Sequence, residues 1–276
     1  MRLLLLALVA AGCAQPRPAA SSDGRPADST HTGYTVAGPD MHGPIYAGPM
    51  RADQVLDART LVQAMAYRYP DWYRTLSFTQ QSNRRTPDGG VAVETWREWA
   101  AVPGRLRIEM GDPMTGIDVL SVGDTTYIYR DGELAAARAD RNPLLFWGFD
   151  VYVQDPAESI RLLEAEGLDL GAYRTDTWDG KEAYVIGVPE SGEVWVEKDR
   201  LLFVRLVEPA QGGGLQDVRF ENYQRLGGGW IAPYVAVYQG DTLVFWETYS
   251  DMVADPDLDP VLFDPRRWAD GVAASR

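Results

Sequence analysis

Four acidic residues in or beside strand-like segments, Glu94, Glu98, Asp118 and Glu247, are the side chains of this sequence best placed for proton chemistry. Two carboxyls held close together can divide the acid and base roles of a hydrolysis. Nothing in their spacing selects a pair, and the wet face of a sheet accounts for most of them. Both histidines, His31 and His42, fall in a Pro-rich N-terminal stretch, which leaves the rest of the chain without imidazole for catalysis or metal binding. Asp255, Asp257 and Asp259 alternate like the start of a calcium loop. Pro260 stands where the sharp turn needs Gly and Arg266 where the bidentate Glu belongs, so an EF-hand is excluded. A looser calcium site or a solvated acidic turn is left. No G-x-S-x-G, H-E-x-x-H, G-x-x-x-x-G-K-[ST] or G-x-G-x-x-G occurs. No catalytic residue, metal or cofactor is assigned, and the reading is of a protein that is not an enzyme.

At 276 residues with 45% hydrophobic content, the chain can bury a substantial core in one main domain. A formal charge of −14 repels polyanions, which excludes nucleic acid as a partner. It also disfavours direct adhesion to anionic headgroups. Cys13 is the only cysteine, so no disulfide can form within the chain.

Met1-Arg2 supplies a minimal positive region, Leu3 to Val9 a short apolar one, and Ala10-Ala11-Gly12 small residues before Cys13. The pattern resembles a bacterial lipoprotein signal. That resemblance implies removal of residues 1–12, a diacylglycerol on the Cys13 thiol and therefore a membrane as partner. An ordinary secretory signal with an incidental cysteine is the alternative. Ala10 stands where such signals prefer Leu. Ala14 is not the Asp that retains many of these proteins at the inner membrane, so the resemblance favours the outer membrane, facing the periplasm. Residues 13–50 carry six prolines among Ala, Ser and Gly and are expected to be a disordered tether, reaching roughly 120 Å when fully extended. Residues 51–276 are the folded domain.

The elements of that domain are organised around Trp178 to Val207. Asp179-Gly180 is a two-residue hairpin signal, followed by strands over Lys181–Val188, Glu193–Glu197 and Leu201–Val207. Leu201-Leu202-Phe203-Val204 is apolar on both faces of the pleat, so neither face should be simply wet. Upstream, Val55, Ala58, Val62, Met65 and Tyr69 predict a helix over Asp53–Tyr69, ended by Pro70. Strands are expected over Thr75–Asn83, Val91–Ala101, Arg105–Met110, Ile117–Val122 and Thr125–Tyr129. Asn142-Pro143 opens a short apolar helix, and Asp155-Pro156-Ala157-Glu158 opens another that stops at Gly167. Three more strands follow, over Val218–Leu226, Trp230–Gln239 and Thr242–Val253. Phe263 and Trp268 are expected to anchor a turn-rich tail.

Aromatic residues are the positive signal. Trp96, Trp99, Trp178, Trp195, Phe203, Trp230, Phe245 and Trp246 fall in strands, and Phe146, Trp147 and Phe149 in the short helix. A curved sheet lined by such rings under an apolar helix describes a greasy cavity with a lid. The same rings could equally be the core of a sheet packed on helices.

Leu76-Ser77-Phe78-Thr79-Gln80 after the first helix, Trp99 to Ile108 with its strand-Pro-strand pattern, Val122 to Tyr129 and Phe263-Asp264-Pro265 occur in this order. The order resembles the LolA/LolB family of bacterial lipoprotein carriers and receptors. The resemblance implies an α+β fold: a curved antiparallel sheet, an unclosed half-barrel of about ten strands, with helices covering its concave face. It implies an apolar ligand, an acyl chain or lipid, for which Phe78, Trp99, Phe146, Trp147, Trp195, Phe203 and Trp246 are the candidate binding residues. At least one of Trp195 and Phe203 is expected to line a pocket. The soluble carrier has an Arg before the Pro of the strand-Pro-strand segment, latching its lid; this chain has Val102 there, so the carrier mechanism does not carry over. The expected function is a lipid-anchored envelope protein that binds an apolar ligand, in lipoprotein or lipid trafficking. The alternative is a structural or sensing module with a filled core, whose partner is another envelope protein; an envelope hydrolase using paired carboxylates is a third.

Overall fold

The computed structural model describes residues 54–210 and 212–276. Cys13, the signal segment, the tether and both histidines lie outside the described residues.

The first helix, α1 (Ala58–Arg68), starts later than its apolar stripe suggests because Asp57 caps it. The Asp57 carboxylate accepts from the Thr60 N–H at 2.8 Å while the Thr60 hydroxyl accepts from the Asp57 N–H at 3.0 Å. The stripe itself, Val55, Ala58, Val62, Met65 and Tyr69, is buried throughout. A meander follows: β1 (Thr75–Arg85), β2 (Val91–Ala101), β3 (Arg105–Met110), β4 (Ile117–Val122), β5 (Thr125–Arg130) and β6 (Glu133–Ala139). Next come α2 (Pro143–Gly148), a 3-10 turn at Asp150–Tyr152 and α3 (Pro156–Ala165). Asn142 caps α2 and Asp155 caps α3, each accepting two backbone N–H groups. The chain then returns to strands: β7 (Tyr173–Trp178), β8 (Lys181–Val188), β9 (Gly192–Glu197), β10 (Leu202–Pro209), β11 (Leu215–Glu221), β12 (Gln224–Leu226), β13 (Gly229–Ile231), β14 (Tyr234–Gln239) and β15 (Thr242–Ala254). A 3-10 turn at Pro260–Phe263 and α4 (Trp268–Ala274) close it.

Thirteen strands form one antiparallel sheet in the order β6-β5-β4-β3-β2-β1-β15-β14-β11-β10-β9-β8-β7. The ends do not meet, so the half-barrel is open, but it is wider than the ten or so strands expected. The excess lies in the two edge strands, β6 and β7, which the sequence pattern does not mark; β7 is mostly exposed and pairs with β8 across Asp179-Gly180. β6 is an exposed, Ala-rich edge strand without strand-like periodicity. The segment expected as Val218–Leu226 breaks at Asn222 (φ +61°), and the next breaks between Ile231 and Tyr234, leaving β12 and β13 as a separate two-stranded hairpin. The central hairpin forms as its turn residues require, with φ positive at both Asp179 (+49°) and Gly180 (+73°).

The sheet's two faces carry different cores. The concave face, with α1, α2 and α3 against it, holds the main one, including Leu76, Ile108, Val194, Leu206, Val218 and Val235. The helical cover extends to the convex face as well. There Leu262, Phe263, Trp268 and Val272 of the tail pack on Ala101, Leu120 and Tyr129. A third cluster, Ala183, Val185, Trp195 and Val204, sits on the convex side of β8 to β10. The doubly apolar run is explained here: Phe203 faces the concave core and Val204 the convex cluster, and the bulge between Phe203 and Arg205 leaves Val204 and Arg205 on the same convex side.

Candidate functional site

Strand parity settles which side chains reach the concavity. Leu76, Phe78, Gln80 and Ser82 of β1 alternate inward, as do Trp96, Glu98 and Ala100 of β2 opposite them. The row continues through Ile108, Val119 and Ile128 on one wall. On the other, Phe245, Val237, Val218, Leu206, Val194 and Ile186 lie at one level of the sheet. Apart from an island described below, this surface is hydrocarbon.

The segment from Asn142 to Gly167 lies over it and is tied at several points. Trp147, fully buried, stacks near Phe203 with centroids 6.1 Å apart and meets Phe146 edge-on at 5.3 Å. The Phe203 N–H donates to the Tyr152 hydroxyl at 2.8 Å, and Tyr152 stacks on Trp72 at 4.0 Å. Arg59 of α1 pairs with Glu164 of α3. At the Val102-Pro103-Gly104 turn, where an arginine latch is missing, the Gly104 N–H donates to the Asp150 carboxyl at 3.0 Å. The segment is thus tied to that hairpin by a backbone donor. Burial pushes the Asp150 carboxyl up to about 7 despite the Gly104 N–H.

Of the seven aromatic candidates, Phe78, Phe146, Trp147 and Phe203 belong to the concave core. Trp99, Trp195 and Trp246 do not. Trp99 packs under the C-terminal tail, Trp195 belongs to the convex cluster, and Trp246 alternates with the inward Phe245 and Glu247 and so points outward. A register of one residue separates the two outcomes, and no turn signal in the sequence counts it. Trp195 is held by cations: Arg205 lies 5.1 Å from its ring and 4.5 Å from that of Trp178, while Arg219 lies 3.9 Å from Tyr238. Asp217 bonds both arginines. Beside this ladder a convex groove of about 390 Å³ is bordered by Trp178, Lys181, Glu197, Arg200, Arg219 and Tyr223, and by neither Trp195 nor Phe203.

The carboxylates correct the expectation of a wet sheet face. Glu98, Asp118 and Glu247 are buried, and only Glu94 is exposed, its carboxylate accepting from the Trp96 indole at 3.0 Å. Asp118 lies on the convex side, accepts from the Met110 N–H at 2.8 Å and is pushed up to about 6 by burial. Glu98 and Glu247 both point into the concavity. Burial, then the neighbouring Glu247, raises Glu98 well above the usual carboxyl range. Burial also lifts Glu247 to about 7, although the Tyr249 hydroxyl donates to it at 2.7 Å. Gln80 and Ser82, whose amide and hydroxyl bond each other at 2.7 Å, complete this polar island. Their sequence signal is polar residues at inward parity, two and four positions beyond Phe78. Asp259, from the acidic alternation, caps the Pro260–Phe263 turn, and Asp255 accepts from the Arg74 N–H at 2.8 Å. Among the described residues no group of three or more His, Cys, Asp or Glu could hold a metal ion.

No family model matches the sequence, and no curated protein matches it. Solved structures do. A LolA superfamily protein from Nitrosomonas europaea superposes with a TM-score of 0.49 at 15% identity, over 76% of this chain and 99% of that one. A DUF1329 family protein from Desulfovibrio piger gives 0.50 at 16% identity, over 76% and 96%. A domain described as an outer membrane lipoprotein-sorting protein, from Vibrio parahaemolyticus, gives 0.52 at 14% identity, over 79% and 99%. With an open antiparallel sheet and helices on its concave face, the chain has the fold of the latter two structures, in line with the fold that the LolA/LolB resemblance implies.

Proposed function

We propose that this protein is a non-enzymatic, lipid-anchored component of the bacterial cell envelope that binds a lipid or another apolar ligand in the half-barrel, in lipoprotein or lipid trafficking. The observation that carries the proposal is the concave face itself: aligned apolar rows on both walls beneath a short helix docked through Trp147 on Phe203. Such a surface, closed off from water by the segment that covers it, is complementary to acyl chains. A solved neighbour described as an outer membrane lipoprotein-sorting protein domain supports the envelope location. The lipoprotein-like signal before Cys13 supports an anchor at the outer membrane. Native mass spectrometry of gently purified protein tests the cavity: copurifying lipid is expected, and a clean apo mass with no uptake of a fluorescent fatty acid refutes it. Labelling cells with an alkynyl palmitate tests the anchor, which should vanish in Cys13→Ser.

A second reading, a module that binds another envelope protein, is favoured by the convex groove with its half-buried Arg200, Arg219 and Trp178. It predicts specific crosslinks from that face and no copurifying lipid.

A further inference from the structure

Gln80, Ser82, Glu98, Glu247 and Tyr249 interrupt an otherwise apolar concave surface, framed by Phe78, Trp96 and Phe245. Phe78 lies against the Tyr249 ring at 4.4 Å and Trp96 near Phe245 at 6.1 Å. Glu98 is 6% exposed, yet it accepts no hydrogen bond among the described residues, and the only charge acting on it is that of Glu247. Glu247, 7% exposed, receives donors from Tyr249 and Gln80 and no cation. Arg84 continues the same face of β1 beyond Ser82 but pairs with neither. Arg97 and Arg107 point to the other side of the sheet, where both bind Glu109. The other facing groups are Glu94, committed to Trp96, and the Tyr249 phenol, which burial holds protonated. Buried carboxyls of this kind are ordinarily paired or hydrogen-bonded. The island therefore holds two buried carboxyls and no cation.

We propose that the island receives the positively charged, donor-rich head of an amphiphile, a long-chain ammonium compound, whose chain lies along the apolar rows. This rests on the cavity reading above and adds the head-group chemistry. An ammonium supplies the positive charge that the carboxyl pair lacks, whereas a carboxylate or phosphate head would meet the same charge. Near neutral pH, binding displaces a proton from the carboxyl pair to solvent.

Titrations of the full chain with dodecylamine, dodecanol and dodecanoate test it, since the probes share a chain and differ in the head. Dodecylammonium should bind at least about tenfold more tightly than dodecanol. The ratio should grow as the pH rises from about 5.5 to about 8, through the range where Glu247 ionises. The double variant Glu98→Gln, Glu247→Gln should lose the preference while still binding dodecanol, which also reports that it folds; Glu247→Gln alone should reduce it. Equal binding of amine and alcohol, tightest binding of dodecanoate, or a preference that survives both substitutions overturns the proposal and leaves the cavity standing. Failure of all three probes overturns both.

Discussion

Raising the pH should destabilise this protein, and Glu247 gives the size of the effect. Its carboxyl is held at about 7 in the fold against an ordinary value of 4.5, because burial penalises the charged form. The folded state therefore keeps a proton that the unfolded chain has already released between those two values. Stability is fully present below about 4.5 and falls as pH rises toward 7, the reverse of an acid in a salt bridge. For Glu247 alone the loss is about 3 kcal/mol above pH 7, of which roughly 2.5 falls between pH 5 and pH 8. Asp150 and Glu208, both at about 7, and Asp118 at about 6 act in the same direction. Urea denaturation followed by tryptophan fluorescence at about pH 5 and about pH 8 measures the difference. Glu247→Gln keeps an acceptor for Tyr249 and cannot ionise, so it should remove about 2.5 kcal/mol of the pH dependence and raise stability at the alkaline end. Equal or greater stability at pH 8, or a dependence unchanged by the substitution, refutes the reasoning.

Three further outcomes follow from packing. Trp147→Ala should cost about 3–5 kcal/mol in the same assay and open the lid to limited proteolysis, since α2 has only six residues and docks through this ring. Trp147→Phe should cost far less, because it keeps a ring over Phe203 and deletes an indole N–H that has no acceptor. Gly228→Ala should abolish soluble folded protein, as its Cβ would lie 1.7 Å from the Asp71 carbonyl oxygen; Gly212→Ala, with nothing within 4 Å, should leave yield and melting temperature unchanged. Trp268→Ala removes a ring 3.6 Å from the Arg107 guanidinium and 4.1 Å from Tyr129, and should cost about 3–5 kcal/mol while exposing the tail to carboxypeptidase.

The sequence made much of this legible where local chemistry decides. Asn142 and Asp155 act as caps because each stands before a proline that has no N–H to lose, and Asp179-Gly180 turns because its backbone tolerates positive φ. What stayed hidden depends on counting across strands. Trp99 and Trp195 read as cavity lining from their type, and lie on the convex side because each is one residue out of phase with an inward neighbour. Glu98 and Glu247 read as wet because a charged residue in an amphipathic strand usually is, and their burial becomes visible only once β1 brings Gln80 and Ser82 between them.

The two walls of the half-pipe are finished differently, and this bears on which of them can move. The β2 to β5 part of one wall is covered on both faces, since the tail packs on its convex side and Arg107 is clamped there between Glu109, the Leu262 carbonyl and the Trp268 ring. A wall packed on both sides is stiff. Across the pipe, β7 to β11 carry no such cover: Trp178 is half-buried and Trp195 buried beneath a ladder of arginines that Glu193 and Asp217 hold in place. Guanidinium groups over the rings keep this surface soluble without a second layer, so the wall retains freedom to flex. The lid spans the difference: Asp150 ties it to the stiff side at Gly104, and Tyr152 and Trp147 tie it to the free side at Phe203. If the half-barrel takes up a ligand as proposed, the contacts at Phe203 should part before the Gly104 to Asp150 bond.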